Sequence, residues 1–196
     1  MFTGIIQVVM PVISATPHGE CVRVRIKKPV RWKLTRGQSV AVDGVCSTVI
    51  SLKPSFFEVE YMPETLAKTT VKLLRKGSMV NLGRPLTLID PIDGGLIQGH
   101  VDVCGTVRAI EKRRMTKTIT VTIPKSFKQY IALKGSIAIN GVSLTVARIR
   151  QNAFVVALIP YTLAHTNLGS LKNGDAVNVE IDVIARYVAH ILKADK

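Results

Sequence analysis

Short alternations of apolar and polar residues recur along most of the chain. VRVRI at 22–26, SVAV at 39–42, CSTVISL at 46–52 and FFEVEYM at 56–62 each carry the two-residue period of a half-buried strand. DG at 43–44 and NG at 140–141 follow such runs. Asp and Asn tolerate positive φ and Gly permits it, so both dipeptides predict tight hairpin turns. Two stretches break the pattern. PETLAKTTVKLL at 63–74 and PYTLAHTNLGSL at 160–171 each begin with a Pro that can open a helical turn. KGSMVNL at 76–82 and NGDAVNVEI at 173–181 then return to strand. Strands this short, spaced about 8–12 residues apart, predict a small closed barrel without exposed sheet edges, with an open sandwich as the alternative.

From residue 182 the period changes. In DVIARYVAHILKADK, the residues Ile184, Val188, Ile191 and Leu192 lie on one helical stripe beside Tyr187. Asp182 is placed to cap this helix, and Lys193 and Lys196 suit its C-terminal end. A helix this short is marginal alone, so its stripe must pack on its own barrel or on a neighbouring subunit.

The strands fall into two copies. SVAVDGVCSTV at 39–49 aligns with SIAINGVSLTV at 136–146, which sets Cys46 against Ser143 at an offset of 97 residues. The same offset aligns PETLAKTT at 63–70 with PYTLAHTN at 160–167, and KGSMVNL at 76–82 with NGDAVNV at 173–179. MFTGI at 1–5 faces LIQGH at 96–100, with Gly4 opposite Gly99 at an offset of 95. Three blocks at one offset identify a tandem duplication. Its expected divisions are residues 1–94, 95–183 and the helix 184–196. IDPIDGG at 89–95 is a linker broken by Pro91, Gly94 and Gly95.

Composition narrows the classes. The 196 residues are 47% apolar, a globular rather than a disordered balance. Cys21, Cys46 and Cys104 form no disulfide framework and have no metal-ligand spacing, and His18, His100, His165 and His190 show no zinc spacing. The opening MFTGII has no basic region or cleavage-like site, so the expectation is a cytoplasmic protein with no signal peptide. No apolar run approaches the ~20 residues that span a bilayer. A net charge of +14 raises the question of an anionic partner. The basic residues are dispersed, however, and Arg23, Arg25 and Lys27 alternate with Val24 and Ile26 as on a solvated strand face. Without interleaved aromatics, nucleic acid is an unlikely partner.

Nucleotide-binding glycine loops and nucleophile-elbow motifs are absent. What repeats instead is a set of small polar residues within apolar strands: Ser39, Cys46, Thr48, Ser143 and Thr145. Alternation places Cys46 with Thr48, and Ser143 with Thr145, on one face of their strands. These groups either satisfy local backbone or line a duplicated ligand pocket.

MFTGI, the turns DGV and NGV followed by CST and SLT, ETLAKT at 64–69, VNL at 80–82, QGHVD at 98–102 and VNVEID at 177–182 together resemble riboflavin synthases of the α-chain type over nearly the whole chain. The related non-catalytic lumazine proteins share that fold. The resemblance implies an all-β fold of two six-stranded closed barrels, with a C-terminal helix that holds a homotrimer. It also implies a dismutation of two 6,7-dimethyl-8-ribityllumazine molecules to riboflavin and 5-amino-6-ribitylamino-uracil, with no metal or organic cofactor. In the family each barrel holds one substrate, and the active site forms where the N-barrel of one subunit meets the C-barrel of another.

Carried over by position, the N-barrel pocket falls on Thr3, Gly4, Ile5, Ile6, Cys46, Ser47, Thr48, Glu60, Tyr61, Met62, Glu64 and Thr65. The C-barrel pocket falls on Gly99, His100, Val101, Lys134, Ser143, Leu144, Thr145 and the stretch Leu158, Ile159, Pro160, Tyr161, Thr162 and Leu163. Candidates for chemistry are Phe2, Ser39, Cys46, Thr48, His100, Ser143, Thr145 and Asp182. The halves are not expected to be equivalent: Ser143 faces Cys46, His100 faces Ile5 and Asp182 faces Pro85 across the repeat. His100 and Ser143 are therefore expected to move protons, and the N-barrel to position the second substrate. The sequence departs from the family's pattern at Gly95, where a His is usual, at Ser47, where Leu is usual, in NLGRPL at 81–86, and in its short C-terminus.

Overall fold

A computed structural model of the chain describes residues 1–194; Lys196, expected at the end of the helix, lies outside the described residues. The first repeat contains β1 (Val8–His18), β2 (Cys21–Lys27), β3 (Ser39–Val42), β4 (Val45–Thr48), β5 (Ser51–Leu52), β6 (Phe56–Tyr61), α1 (Pro63–Lys68) and β7 (Met79–Gly83). The second contains β8 (Val103–Arg113), β9 (Thr116–Thr122), β10 (Ser136–Ile139), β11 (Val142–Ile149), β12 (Ala153–Leu158), α2 (Pro160–His165) and β13 (Ala176–Ile181), followed by α3 (Val183–Ala194). Pro63 and Pro160 open α1 and α2, as the two breaks in the strand pattern predict.

The second repeat closes into a six-stranded barrel; the first does not, which corrects the expectation of two closed barrels. Its seven strands form an open curled sheet in the order β4-β3-β7-β1-β2-β6-β5, with β4 and β5 as its edges. The difference lies at one irregular step. In the closed barrel the single strand β11 passes a bulge between Val146 and Arg148 and keeps the pair Val146↔Val156. At the equivalent step the Val49 amide donates to Gln38 on one side, and the Ile50 amide to Glu58 on the other. The ladder from β5 to β6 therefore stops at Ser51↔Glu58, and a two-residue strand is left as an edge.

Each repeat buries its own apolar core. Val24, Ile26, Phe57, Val59, Tyr61 and Leu82 centre the first, and Ile119, Ile137, Ile139, Phe154, Leu158 and Leu168 the second. The hairpin turns join the two. Asp43 and Gly44 have φ of 45° and 77°, Asn140 and Gly141 of 46° and 76°, the left-handed geometry of a tight hairpin. The turns abut so closely that a Cβ on Gly44 would lie 2.5 Å from the Gly141 nitrogen, and one on Gly141 would lie 2.7 Å from the Gly44 nitrogen.

Around this contact runs a nearly two-fold set of buried amide bonds. The Asn81 side-chain amide donates to the Asn140 carbonyl at 2.9 Å, and that of Asn178 to the Asp43 carbonyl at 2.8 Å. Side-chain oxygens of Asp43 and Asn140 accept the backbone N–H of Asn81 and Asn178, each at 2.8 Å. Thr70 and Asn167, equivalent in the repeat, donate their backbone N–H to Asn178 and Asn81 at 2.7 and 2.8 Å. Leaving one such buried group unpaired costs about 1–3 kcal/mol, so the set fixes how the halves meet.

The chain ends of the repeats cross this junction. Phe2 and Ile97 exchange backbone bonds of 2.6 and 2.9 Å. With Ala41 and Ala138 they form a small core between the halves. Beyond it, Ile6 packs on the second repeat's core and Val101 on the first's. The helix α3 is capped as expected: the Asp182 carboxylate accepts the Ile184 N–H at 2.9 Å. Arg186 ties it to the barrel through both oxygens of Asp102, at 2.9 and 3.0 Å. Ile184, Tyr187, Val188, Ile191 and Leu192 nevertheless stay largely exposed. Among the described residues no helix is long and apolar enough to cross a membrane.

Asp43 breaks the symmetry of the amide set, because its partner across the junction is Asn140. Burial pushes its carboxyl up to about 7, against the pull of hydrogen bonds from the Asn81 amide and the Asn167 side chain. A folded-state value above the unfolded one means that protonation favours the fold. The contribution is complete below the unfolded value near 4 and is lost as pH rises through about 7. Asp43→Asn keeps the accepting oxygen without the charge. Relative to the parent, it should gain little stability at pH 4 and up to about 4 kcal/mol above pH 7. Urea unfolding of both proteins across this range checks it; parallel pH profiles would contradict it.

Candidate active site

In β4 the alternation sends Val45 and Ser47 inward and Cys46 and Thr48 outward. Cys46 opens into a cavity of about 370 Å³, lined also by Val45, Glu64, Thr65, Lys68 and Thr69 of the first repeat and by Gly99, His100 and Val101. The Cys46 N–H donates to the Gly99 carbonyl at 2.8 Å. Glu64 is held below the usual carboxylate range by its 2.7 Å bond to Lys68. Ser39 pairs with Thr48 across the hairpin.

The matching contact in the other half runs the opposite way. The Ser143 N–H donates to the Gly4 carbonyl at 2.8 Å, so the N-terminal segment lies along β11. The segments are exchanged: Gly99, His100 and Val101 belong with Cys46, and Gly4 and Ile6 with the Ser143 half. These contacts differ from the expected grouping of Thr3–Ile6 with Cys46 and of His100 with Ser143. Thr145, like Thr48, faces outward. Lys134 adopts φ of 67° in an exposed turn and donates its N–H to the Val146 carbonyl. Ile159 and Tyr161 stand exposed at the start of α2, where Tyr161 stacks on His165 with ring centroids 4.0 Å apart. Thr162 and Leu163 are half-buried on the same turn.

Other positional candidates make structural contacts, several of them with the side chain in a core. Ser47 bonds the Val45 carbonyl and the Tyr61 hydroxyl, both at 2.9 Å, and Tyr61 is 2% exposed. Burial drives the Tyr61 hydroxyl far up, so it stays a neutral donor or acceptor. Leu158 is fully buried, and Phe2 is enclosed at the junction between the halves. Glu60 of β6 pairs with Arg23 and His18 of the β1–β2 hairpin at 3.1 and 3.0 Å. Met62 meets Cys21 at a sulfur separation of 3.4 Å. Asp182 caps α3 and lines the groove beneath that helix with Ser136 and Tyr130.

The linker adds an asymmetry. Ser143 Oγ donates to the Gly94 carbonyl at 3.2 Å, and a Cβ on Gly95 would lie 3.3 Å from Ser143 Oγ. The departure at position 95 therefore bears directly on Ser143. Charged groups that positional reading missed are Glu180, Asp102 and Arg186. Their signal was a carboxylate inside the apolar run VNVEI and an acid in QGHVD. Among the described residues no cluster of three His, Cys, Asp or Glu side chains could hold a metal ion. The two sites offer hydroxyls, a thiol, an imidazole and backbone amides.

The lumazine binding domain model matches residues 3–84 and again 98–182. The chain belongs to this family. Its two lumazine-binding repeats are similar to riboflavin synthases throughout. The chain is 38% identical over 204 residues to riboflavin synthase of Brucella abortus, with all of both chains covered. It is 35% identical to that of Photobacterium leiognathi, covering 100% of this chain and 91% of that one. Among solved structures, LumP complexed with riboflavin superposes with a TM-score of 0.85 at 26% identity, covering 92% of this chain and 99% of the other. LumP complexed with flavin mononucleotide gives 0.83, also at 26% identity, covering 92% and 99%.

The exchanged segment of the first site turns on Gly99. Its φ is +81°, and a Cβ there would lie 2.8 Å from both the Cys46 nitrogen and Cβ. Gly19 shares the positive φ, at +61°, but has open space around it. Gly19→Ala should cost about 1 kcal/mol from backbone strain alone, and Gly99→Ala at least about 3 kcal/mol, because strain and overlap add. Denaturant unfolding of the two variants measures both. Equal losses would show that the Gly99–Cys46 contact is not tight.

Proposed function

We propose that the chain is a riboflavin synthase: it converts two molecules of 6,7-dimethyl-8-ribityllumazine into riboflavin and 5-amino-6-ribitylamino-uracil. The observation that carries this is the full-length match to riboflavin synthases together with a duplicated site. The four-carbon unit lost by one lumazine is gained by the other, so atoms and electrons balance between two copies of one substrate. A duplicated fold suits that stoichiometry, since its two repeats provide two lumazine sites, one around Cys46 and one around Ser143. Holding the two rings in register removes much of the entropic barrier. Proton removal from the C7 methyl generates an anion spread over the ring, which backbone N–H groups and hydroxyls stabilise.

His100 and Cys46 address one substrate, and Ser143 and Thr145 the other. Thr48, Thr65 and Glu64 shape the first site; Ile5, Lys134, Leu144 and the turn from Ile159 to Leu163 shape the second. His100 and Ser143 are the groups suited to proton transfer. The chain works as a cytoplasmic homotrimer, in which the first repeat of one subunit meets the second repeat of another. The exposed apolar stripe of α3 supports this reading, because water-facing Ile184, Val188, Ile191 and Leu192 call for a partner.

Mixing the purified chain with 6,7-dimethyl-8-ribityllumazine should generate riboflavin absorbance. Stoichiometric binding without turnover would instead make it a carrier, the reading that its similarity to LumP favours. Ser143→Ala should lower turnover by roughly 10²-fold while lumazine binding persists, and Cys46→Ala should act mainly through affinity. Equal turnover losses with unchanged binding in both would defeat this division. Deleting residues 184–196 should give monomers that keep their strand structure; sedimentation of an unchanged trimer would remove α3 as its support.

A further inference from the structure

Glu180 is a charged residue next to the last position of β13, flanked by Val179 and Ile181, and it is 4% exposed. Its Oε1 accepts the Gln98 N–H at 2.7 Å and its Oε2 the Gly99 N–H at 3.0 Å. Two successive backbone amides thus converge on one carboxylate, with the His100 amide next to them adding to the pull on its charge, an anion nest that the positive φ of Gly99 makes possible. The Gly99 carbonyl, on the other side of the same turn, accepts the Cys46 N–H. Glu180 therefore reaches from the second repeat, through residues 98–100, to the site of the first. Nearby Asp102 repels its charge and is itself paired with Arg186.

The fold does not demand this carboxylate. Gly83 occupies the equivalent position in the first repeat, and the Phe2 ring lies 4.0 Å from the Cβ that Gly83 lacks. There the equivalent segment is held by Phe2 packing and by a local bond from the Ile5 N–H to Thr3 Oγ1. One repeat builds the turn with apolar contact, the other with a buried charge whose desolvation is costly. The residue that separates the two turns in chemistry is His100, which stands opposite Ile5.

We infer that Glu180 is a positioning residue for His100: its carboxylate locks the 98–100 turn so that the imidazole faces the cavity beside Cys46. This rests on the riboflavin synthase reading, in which His100 acts on substrate. The test is a double-mutant cycle with Glu180→Gln, which keeps the shape but turns one acceptor into an N–H donor facing an N–H. Glu180→Gln should lower turnover about tenfold or more in the parent, yet less than about twofold in the His100→Ala background, because it acts through His100. An equal fold-loss in both backgrounds would overturn the assignment. If Glu180→Gln does not fold, Glu180→Asp, which keeps the charge but withdraws it by one methylene, takes its place in the cycle. Amide hydrogen exchange at residues 98–100 reads the link without turnover: it should rise in the variant, and unchanged exchange would refute it. A parent chain that neither binds nor converts the lumazine would sink the functional reading, while the exchange measurement would still decide whether Glu180 holds the turn.

Discussion

The contact of Gly44 with Gly141 governs the rest of the molecule. Two hairpin turns meet backbone to backbone, with no room for a side chain on either glycine. The turn side chains of Asp43 and Asn140 accept an N–H of their own repeat, while their backbone carbonyls accept a side-chain amide from across the junction. Asn81 and Asn178 each serve the opposite half. A buried hydrogen-bond set of this kind adds modestly to stability when intact but is costly to disrupt, so it selects one relative arrangement of the halves.

That arrangement makes the segment exchange possible. With the halves joined at their turns, Phe2 and Ile97 meet between them, and each following segment continues onto the other repeat. Each site then draws on both halves of the sequence, and neither half is complete without the other. Departures from symmetry fall on this framework: Asp43 against Asn140, Glu180 against Gly83, and a linker that reaches Ser143. Such single-residue changes give the two repeats different chemistry on one shared framework.

The duplication, the two left-handed turns, the Pro-initiated helical turns and the capped terminal helix were all legible in the sequence, because each rests on local spacing or on a residue type with one backbone use. Closure of the first repeat was not. It turns on whether the ladder survives the step at Val49 and Ile50, and apolar runs read alike on either side of that break. The site was legible to the same depth. Outward Cys46 with Thr48 followed from alternation, but inward Ser47 and Tyr61 were assigned to a pocket by position alone and lie in the core. Exchange of the 1–6 and 96–101 segments was hidden for a physical reason: a backbone bond such as Ser143 to Gly4 leaves no trace in local periodicity. Glu180 was visible as a misplaced charge, without a sign of which amides it would meet.

The central claim is that each ligand site is assembled from both repeats through exchanged segments. A crystal structure of the chain with 6,7-dimethyl-8-ribityllumazine bound tests it most directly. One lumazine should touch Cys46 and Thr48 together with Gly99 and His100, and the other Ser143 and Thr145 together with Gly4 and Ile5. A lumazine held by Cys46 and Gly4, with His100 turned to the Ser143 ligand of the same chain, would contradict the account.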